Sequence, residues 1–82
     1  MNDFHQALCN VLVTKFKIDL GSLDETTGLF SSGLIDSLSV MDLVGFVERE
    51  TGRAIPLADI TLDNFDSIAR IVAYAQTLIS AG

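Results

Sequence analysis

One cysteine, one histidine and one proline are all that the 82 residues contain of these types. A solitary thiol cannot close an internal disulfide. Cys9 and the lone His5 also fall short of the donor set that a zinc site needs, so no metal is expected. Basic residues are scarce: five Lys and Arg stand against eleven Asp and Glu, for a net charge of −6. The shortage is concentrated between Ile18 and Asp66, where only Arg49 and Arg53 oppose ten carboxylates, a net −8 for that segment. Such a field repels nucleic acid and anionic membrane, and it favours partners with basic docking surfaces. Long apolar runs are missing, and acidic Asp3 sits where a signal peptide would be basic. The expectation is a soluble, cytoplasmic, monomeric protein without nucleic-acid partners or membrane insertion. Strand-like alternation, internal repeats and low-complexity tracts are absent as well. The run Gly33-Leu34-Ile35-Asp36-Ser37 has neither the spacing nor the lysine of a phosphate-binding P-loop.

Hydrophobic residues make up 49% of the chain, enough for one compact core in a single domain over residues 1–82. A chain this short buries only about 60% of its unfolded surface, so its stability margin is small. Phe4, Ala7, Leu8, Val11 and Leu12 recur at helical spacing and predict a first helix from about Asn2 to Phe16. Asn2 or Asp3 can cap it. Lys15 and Lys17 suit its negative pole, His5 is expected to be solvated or capping, and Cys9 to be a small core or flank residue. A connection of roughly twenty residues, Lys17 to Asp36, follows; loops of that length are uncommon unless functional or packed by their own side chains. Ile18, Leu20, Leu23, Leu29, Phe30, Leu34 and Ile35 predict an ordered loop docked on the core, with a short helical turn at Asp24–Thr27.

A second helix is predicted from Ser37 or Leu38 to about Glu50, with Val40, Met41, Leu43, Val44 and Val47 on its apolar arc. Leu38 and Phe46 fall outside that arc. Gly52 is the natural C-cap. Gly45 costs this helix about 1 kcal/mol relative to Ala. Close helix packing is the expected compensation, and a partner surface is the alternative. Ser39 and Asp42 have capping-box spacing. Pro56 keeps Arg53–Leu57 extended, and Leu57–Ile60 has the length of one helical turn. Ile68, Ile71, Val72, Ala75, Leu78 and Ile79 predict a final helix, capped by Asn64, Asp66 or Ser67, with Tyr74 on its wet flank.

The focal stretch is Gly33-Leu34-Ile35-Asp36-Ser37-Leu38-Ser39, where the long loop meets the second helix. By local chemistry alone Asp36 or Ser37 is an N-cap, since their side-chain oxygens accept from unpaired N–H groups. Ser37 lacks the base and orienting acid of a serine nucleophile, so a self-contained hydrolase is not expected and no catalytic residue is assigned. A serine modified by another enzyme has other needs: exposure, a defined position and a docking surface. A loop-to-helix junction supplies them, and a helix N-terminus favours an added phosphodiester.

Leu29-Phe30-Ser31-Ser32-Gly33-Leu34-Ile35-Asp36-Ser37-Leu38, together with the order of elements around it, resembles the prosthetic-group site of acyl and peptidyl carrier proteins. The resemblance covers essentially the whole chain. It implies an all-α fold, a small bundle of three long helices and one short one with a long ordered loop between helices 1 and 2. It further implies that Ser37 receives 4′-phosphopantetheine from coenzyme A through a phosphopantetheinyl transferase. The arm's thiol would then hold an acyl or aminoacyl thioester. An acyl- or aminoacyl-activating ligase would load it, and a downstream synthase, transferase or thioesterase would unload it. Leu38 and Met41 match apolar partner contacts of the family, although Met41 suits core packing equally. Asp36, Asp42, Glu48 and Glu50 are the acidic partner-binding candidates. Ser39, Val40, Gly45 and Arg49 thin the acidity usual in fatty acid carriers. Ile-Asp-Ser also differs from the Gly-Gly-x-Ser of many peptidyl carriers. The pattern leans towards a discrete carrier of aminoacyl, nonribosomal peptide or polyketide-type metabolism. The alternative is a small acidic helical adaptor that binds a partner and is never modified.

Overall fold

Apolar residues every third or fourth position coil the two ends of the chain into helices that meet at the centre of the molecule. The structure, a computed structural model, describes residues 2–81, with the side chains of Asn2, Ser22 and Ala81 outside the description. One of the two expected caps of the first helix, Asn2, therefore lies outside the described side chains. Four α-helices form among the described residues: α1 (Asn2–Thr14), α2 (Val40–Thr51), α3 (Leu62–Phe65) and α4 (Ile68–Ala81). Single 3-10 turns lie at Leu20–Ser22, Ser37–Ser39 and Leu57–Asp59, and no strand occurs among the described residues. The expected all-α bundle of three long helices and one short one is what forms. Helix α4 is its hub, packing against α1, α2 and α3.

The core draws Phe4, Leu8 and Leu12 from α1, Leu43, Val44 and Val47 from α2, and Ile68, Ile71 and Ala75 from α4. These are stripe residues, and each removes apolar surface from water at about 25 cal/mol per Å². Two flanking aromatics depart from the expectation. Phe46, assigned outside the α2 arc, is only 4% exposed because its ring meets that of Phe4 at 5.6 Å between centroids. Tyr74 is also buried, not wet: its ring packs on Phe65, and its hydroxyl donates to Asp59 Oδ2 at 2.7 Å. A hydroxyl with a carboxylate in reach no longer needs water, so the ring is free to enter the core.

The long connection is ordered over the core, as its apolar content predicts. Ile18, Leu29 and Ile35 are buried, Leu23 and Phe30 are partly buried, and Leu20 and Leu34 remain exposed. Helix α1 ends at Thr14, and Lys15 and Lys17 lie beyond it, so neither is in its last turn. Lys17 takes φ +60°, a left-handed conformation that turns the chain towards Ile18. Asp24–Thr27 closes as a non-helical turn, with Thr26 N–H donating to Asp24 Oδ1 at 2.9 Å. The 3-10 turn forms instead at Leu20–Ser22, where Gly21 N–H donates to Asp19 Oδ1.

Further along, Gly52 caps α2 with φ +69°, its N–H reaching Glu48 O at 2.8 Å. Of the three candidate caps of α4, Ser67 is the one used, its Oγ accepting from Arg70 N–H at 3.1 Å.

Candidate functional site at Ser37

Asp36 organises the junction ahead of α2. Its backbone is extended (φ −65°, ψ 136°), its side chain accepts from Leu38 N–H at 3.0 Å, and its carbonyl accepts from Ser39 N–H at 2.8 Å. Asp36 is therefore the N-cap, and Ser37, one residue inside, has no capping duty. The segment 37–39 is a 3-10 turn and the α-helix proper starts at Val40, three residues after Ser37. The Ser39–Asp42 capping box does not form, since Ser39 makes no side-chain cap bond and Asp42 instead lies 3.8 Å from Lys15 Nζ. Because Asp36 takes the Leu38 and Ser39 N–H groups, those two are not free to meet a phosphodiester. What the position offers an added group is room and access.

Ser37 is exposed, and its hydroxyl forms no hydrogen bond among the described residues. Beside it a cavity of about 180 Å³ opens, walled by Phe30, Val40, Ile60, Leu62 and Phe65. An engineered apolar cavity of about 150 Å³ admits benzene, so this one has room for a small apolar group tethered at Ser37. The free hydroxyl and the adjoining apolar recess fit a prosthetic arm covalently held at this serine.

The other predicted contact residues are distributed unevenly around Ser37. Leu38 is 86% exposed and Met41 57% exposed, so both lie at the surface and Met41 is not a core residue. Asp36 and Asp42 are exposed. Glu48 differs, being half-buried with Oε2 accepting from Ile55 N–H at 2.7 Å. It anchors the extended segment after α2 and has that much less carboxylate to offer outward. Gly45 is exposed with nothing within 4 Å of where a Cβ would stand, so close helix packing does not explain it.

Sequence reasoning missed two features that order the loop. His5, expected to be solvated or capping, stays 41% exposed but places Nε2 2.9 Å from a carboxylate oxygen of Glu25 and ties the loop to α1. Asp66, one of three cap candidates, serves the loop instead: Oδ1 accepts from Phe30 N–H at 2.8 Å and Ser31 N–H at 2.9 Å. Desolvation works against ionisation of Asp66, but donors from Ser31, Phe30 and Leu29 outweigh it and hold the carboxyl below the ordinary range. An acid beside the helix start could have suggested such a role, but nothing local names a partner 35 residues away.

Cys9 Sγ lies 3.8 Å from His5 Nδ1. Burial first, and then the Glu25 charge, push its thiol upward, which keeps it protonated at neutral pH and poorly nucleophilic. Among the described residues no group of three His, Cys, Asp or Glu side chains could hold a metal ion. No helix there is long and apolar enough to cross a membrane.

A family model described as phosphopantetheine attachment site matches residues 6–75. The chain is also 33% identical over 72 residues to a protein named probable acyl carrier protein PigG, from Serratia sp., covering 87% of this chain and 83% of that protein. Joined to the helical bundle and its exposed loop-to-helix serine, these likenesses show that the chain belongs to the acyl and peptidyl carrier proteins, a family defined by covalently attached 4′-phosphopantetheine.

Proposed function

We propose that Ser37 is the attachment residue and that residues 1–82 form one non-catalytic carrier domain. The supporting observation is its unengaged, exposed hydroxyl at the front of α2, beside an apolar recess. In the attachment step the Ser37 oxygen forms a phosphoester bond to the pantetheine-side phosphorus of coenzyme A. The pyrophosphate bond to the nucleotide breaks, and the hydroxyl proton leaves to a base of the transferase. The attached arm supplies a terminal thiol that holds acyl or aminoacyl groups as thioesters. This chain contributes position and recognition: Asp36 fixes the turn, while Leu38, Met41, Asp36 and Asp42 face incoming enzymes. Glu48 belongs to the same acidic face mainly through its field, since its carboxylate also holds Ile55.

The partners are a phosphopantetheinyl transferase, an acyl- or aminoacyl-activating ligase, and a downstream synthase, transferase or thioesterase. The setting is cytoplasmic, and the protein works as a monomer. Aminoacyl, nonribosomal peptide or polyketide-type metabolism suits the thinned acidity of α2. An unmodified adaptor is not favoured, because it gives no reason for a free serine hydroxyl at this junction. Incubation with coenzyme A, magnesium and a broad-specificity transferase should add one phosphopantetheine, read by intact mass, and Ser37→Ala should abolish it. A wild-type mass unchanged with several transferases would overturn the reading, as would an addition that survives in Ser37→Ala.

A further inference from the structure

Three contacts converge from Asp66 on the loop that leads into Ser37. Its Oδ1 accepts from Phe30 N–H and Ser31 N–H, and its carbonyl accepts from Leu29 N–H at 2.7 Å. Leu29 passes the connection on, because its own carbonyl accepts from Ile35 N–H at 2.8 Å, two residues before Ser37. Phe30, whose N–H Asp66 holds, and Phe65, the residue before Asp66, are both walls of the recess that Ser37 adjoins. The packing at Gly28 is equally tight: a Cβ there would meet the Ser31 hydroxyl and come within 3.4 Å of Asp66 Oδ2. Asp63, by contrast, has an almost fully exposed side chain whose carboxylate stands 4.0 Å from the Arg70 guanidinium.

We infer that Asp66 is a positioning residue for modification at Ser37, clamping Leu29–Ser31 so that the loop and its recess present the hydroxyl in one place. The clamp acts through acceptor geometry, and Asp66 itself touches neither the reacting oxygen nor the incoming group. A loop released from it samples several positions, of which a fraction is competent. Apparent affinity for the modifying enzyme then falls by that fraction, whereas turnover of the bound complex stays the same.

The inference rests on Ser37 as the attachment residue, and the experiment separates the two. Steady-state modification of the apo-protein by a broad-specificity phosphopantetheinyl transferase, with saturating coenzyme A, gives KM and kcat for the carrier. Asp66→Ala should raise KM about tenfold with kcat unchanged, for a competent fraction near one in ten. Asp66→Asn, which keeps an Oδ1 acceptor, should restore most of the loss, and Asp63→Ala should match wild type. An Asp66→Ala protein with wild-type KM, or an Asn variant as impaired as Ala, would overturn the clamp. A wild-type protein that is never modified would sink the attachment reading instead. Amide hydrogen exchange on the unmutated chain tests the clamp without any folding risk: Phe30 and Ser31 N–H should be protected relative to Ser32. Equal, unprotected rates would overturn it.

Discussion

At the scale of single residues, the polar groups that matter most here are those whose partners lie far away in sequence. Tyr74 is the clearest case. Burial, followed by the hydrogen bond and charge of Asp59, pushes its hydroxyl up to about 12. A group whose folded value is raised contributes stability that is intact below its unfolded value near 10 and is lost as pH climbs from there through the folded value. Tyr74→Phe should cost about 1 kcal/mol at neutral pH. It should also flatten the loss of stability between pH 10 and 12, as urea melts at stepped pH would show. Asp66 runs the other way. Its depressed value contributes stability that is present above the ordinary carboxylate range and lost as pH falls through the folded value. The unfolding midpoint of Asp66→Asn should accordingly depend less on pH on the acid side than that of wild type.

Among the elements, α2 is the helix that leads away from Ser37. It buries Phe46 beside Leu43, Val44 and Val47, leaves Met41 outside, and carries Gly45 on its exposed side. With open space where a Cβ would go, Gly45→Ala should raise stability by about 1 kcal/mol, read from the denaturation midpoint. A fall in stability would mean that the glycine has a structural role in the isolated protein. The end of α1 carries a comparable local cost. Lys17 holds φ +60°, a conformation costing an L-residue about 1–2 kcal/mol, and Lys17→Gly should recover part of it. Because Ile55 N–H depends on Glu48, Glu48→Ala should destabilise by about 1 kcal/mol. That loss would have to be subtracted before any effect of the variant on partner binding is read as electrostatics.

Taken as a whole, the molecule is a small core beneath a strongly acidic surface. Among the described residues sixteen buried apolar side chains form that core, and a domain of this size has little stability to spare. Leu8→Ala or Leu43→Ala, each at a fully buried site, should cost about 2–5 kcal/mol and leave a substantial unfolded population. The net −8 between Ile18 and Asp66 acts at longer range. Reversing Asp42 to Lys, which leaves the Asp36 cap in place, should slow association with a transferase or ligase severalfold at low salt. The gap should narrow as ionic strength shortens the screening length to about 8 Å near 0.15 M. Equal rates at low salt would remove the electrostatic part of docking.

How much of this was legible before any coordinates follows from the range of the forces involved. Helical periodicity is local, so α1, α2 and α4, the stripe residues Leu8, Leu12, Leu43, Val47 and Ile71, and the Gly52 cap could all be read along the chain. Spaced apolar residues marked the long loop as ordered, and the order of elements around Asp36-Ser37-Leu38 carried the family. Properties set by distant neighbours could not be read that way. Phe46 turns inward because Phe4 stands opposite, and Tyr74 is buried because Asp59 meets its hydroxyl. Glu48 turns to Ile55, and Asp66 caps a turn far upstream instead of its own helix. A side chain's hydrogen-bond partner depends on which segments the collapsed core brings together. Only the folded bundle, and not the local pattern, selects among partners that are chemically equivalent.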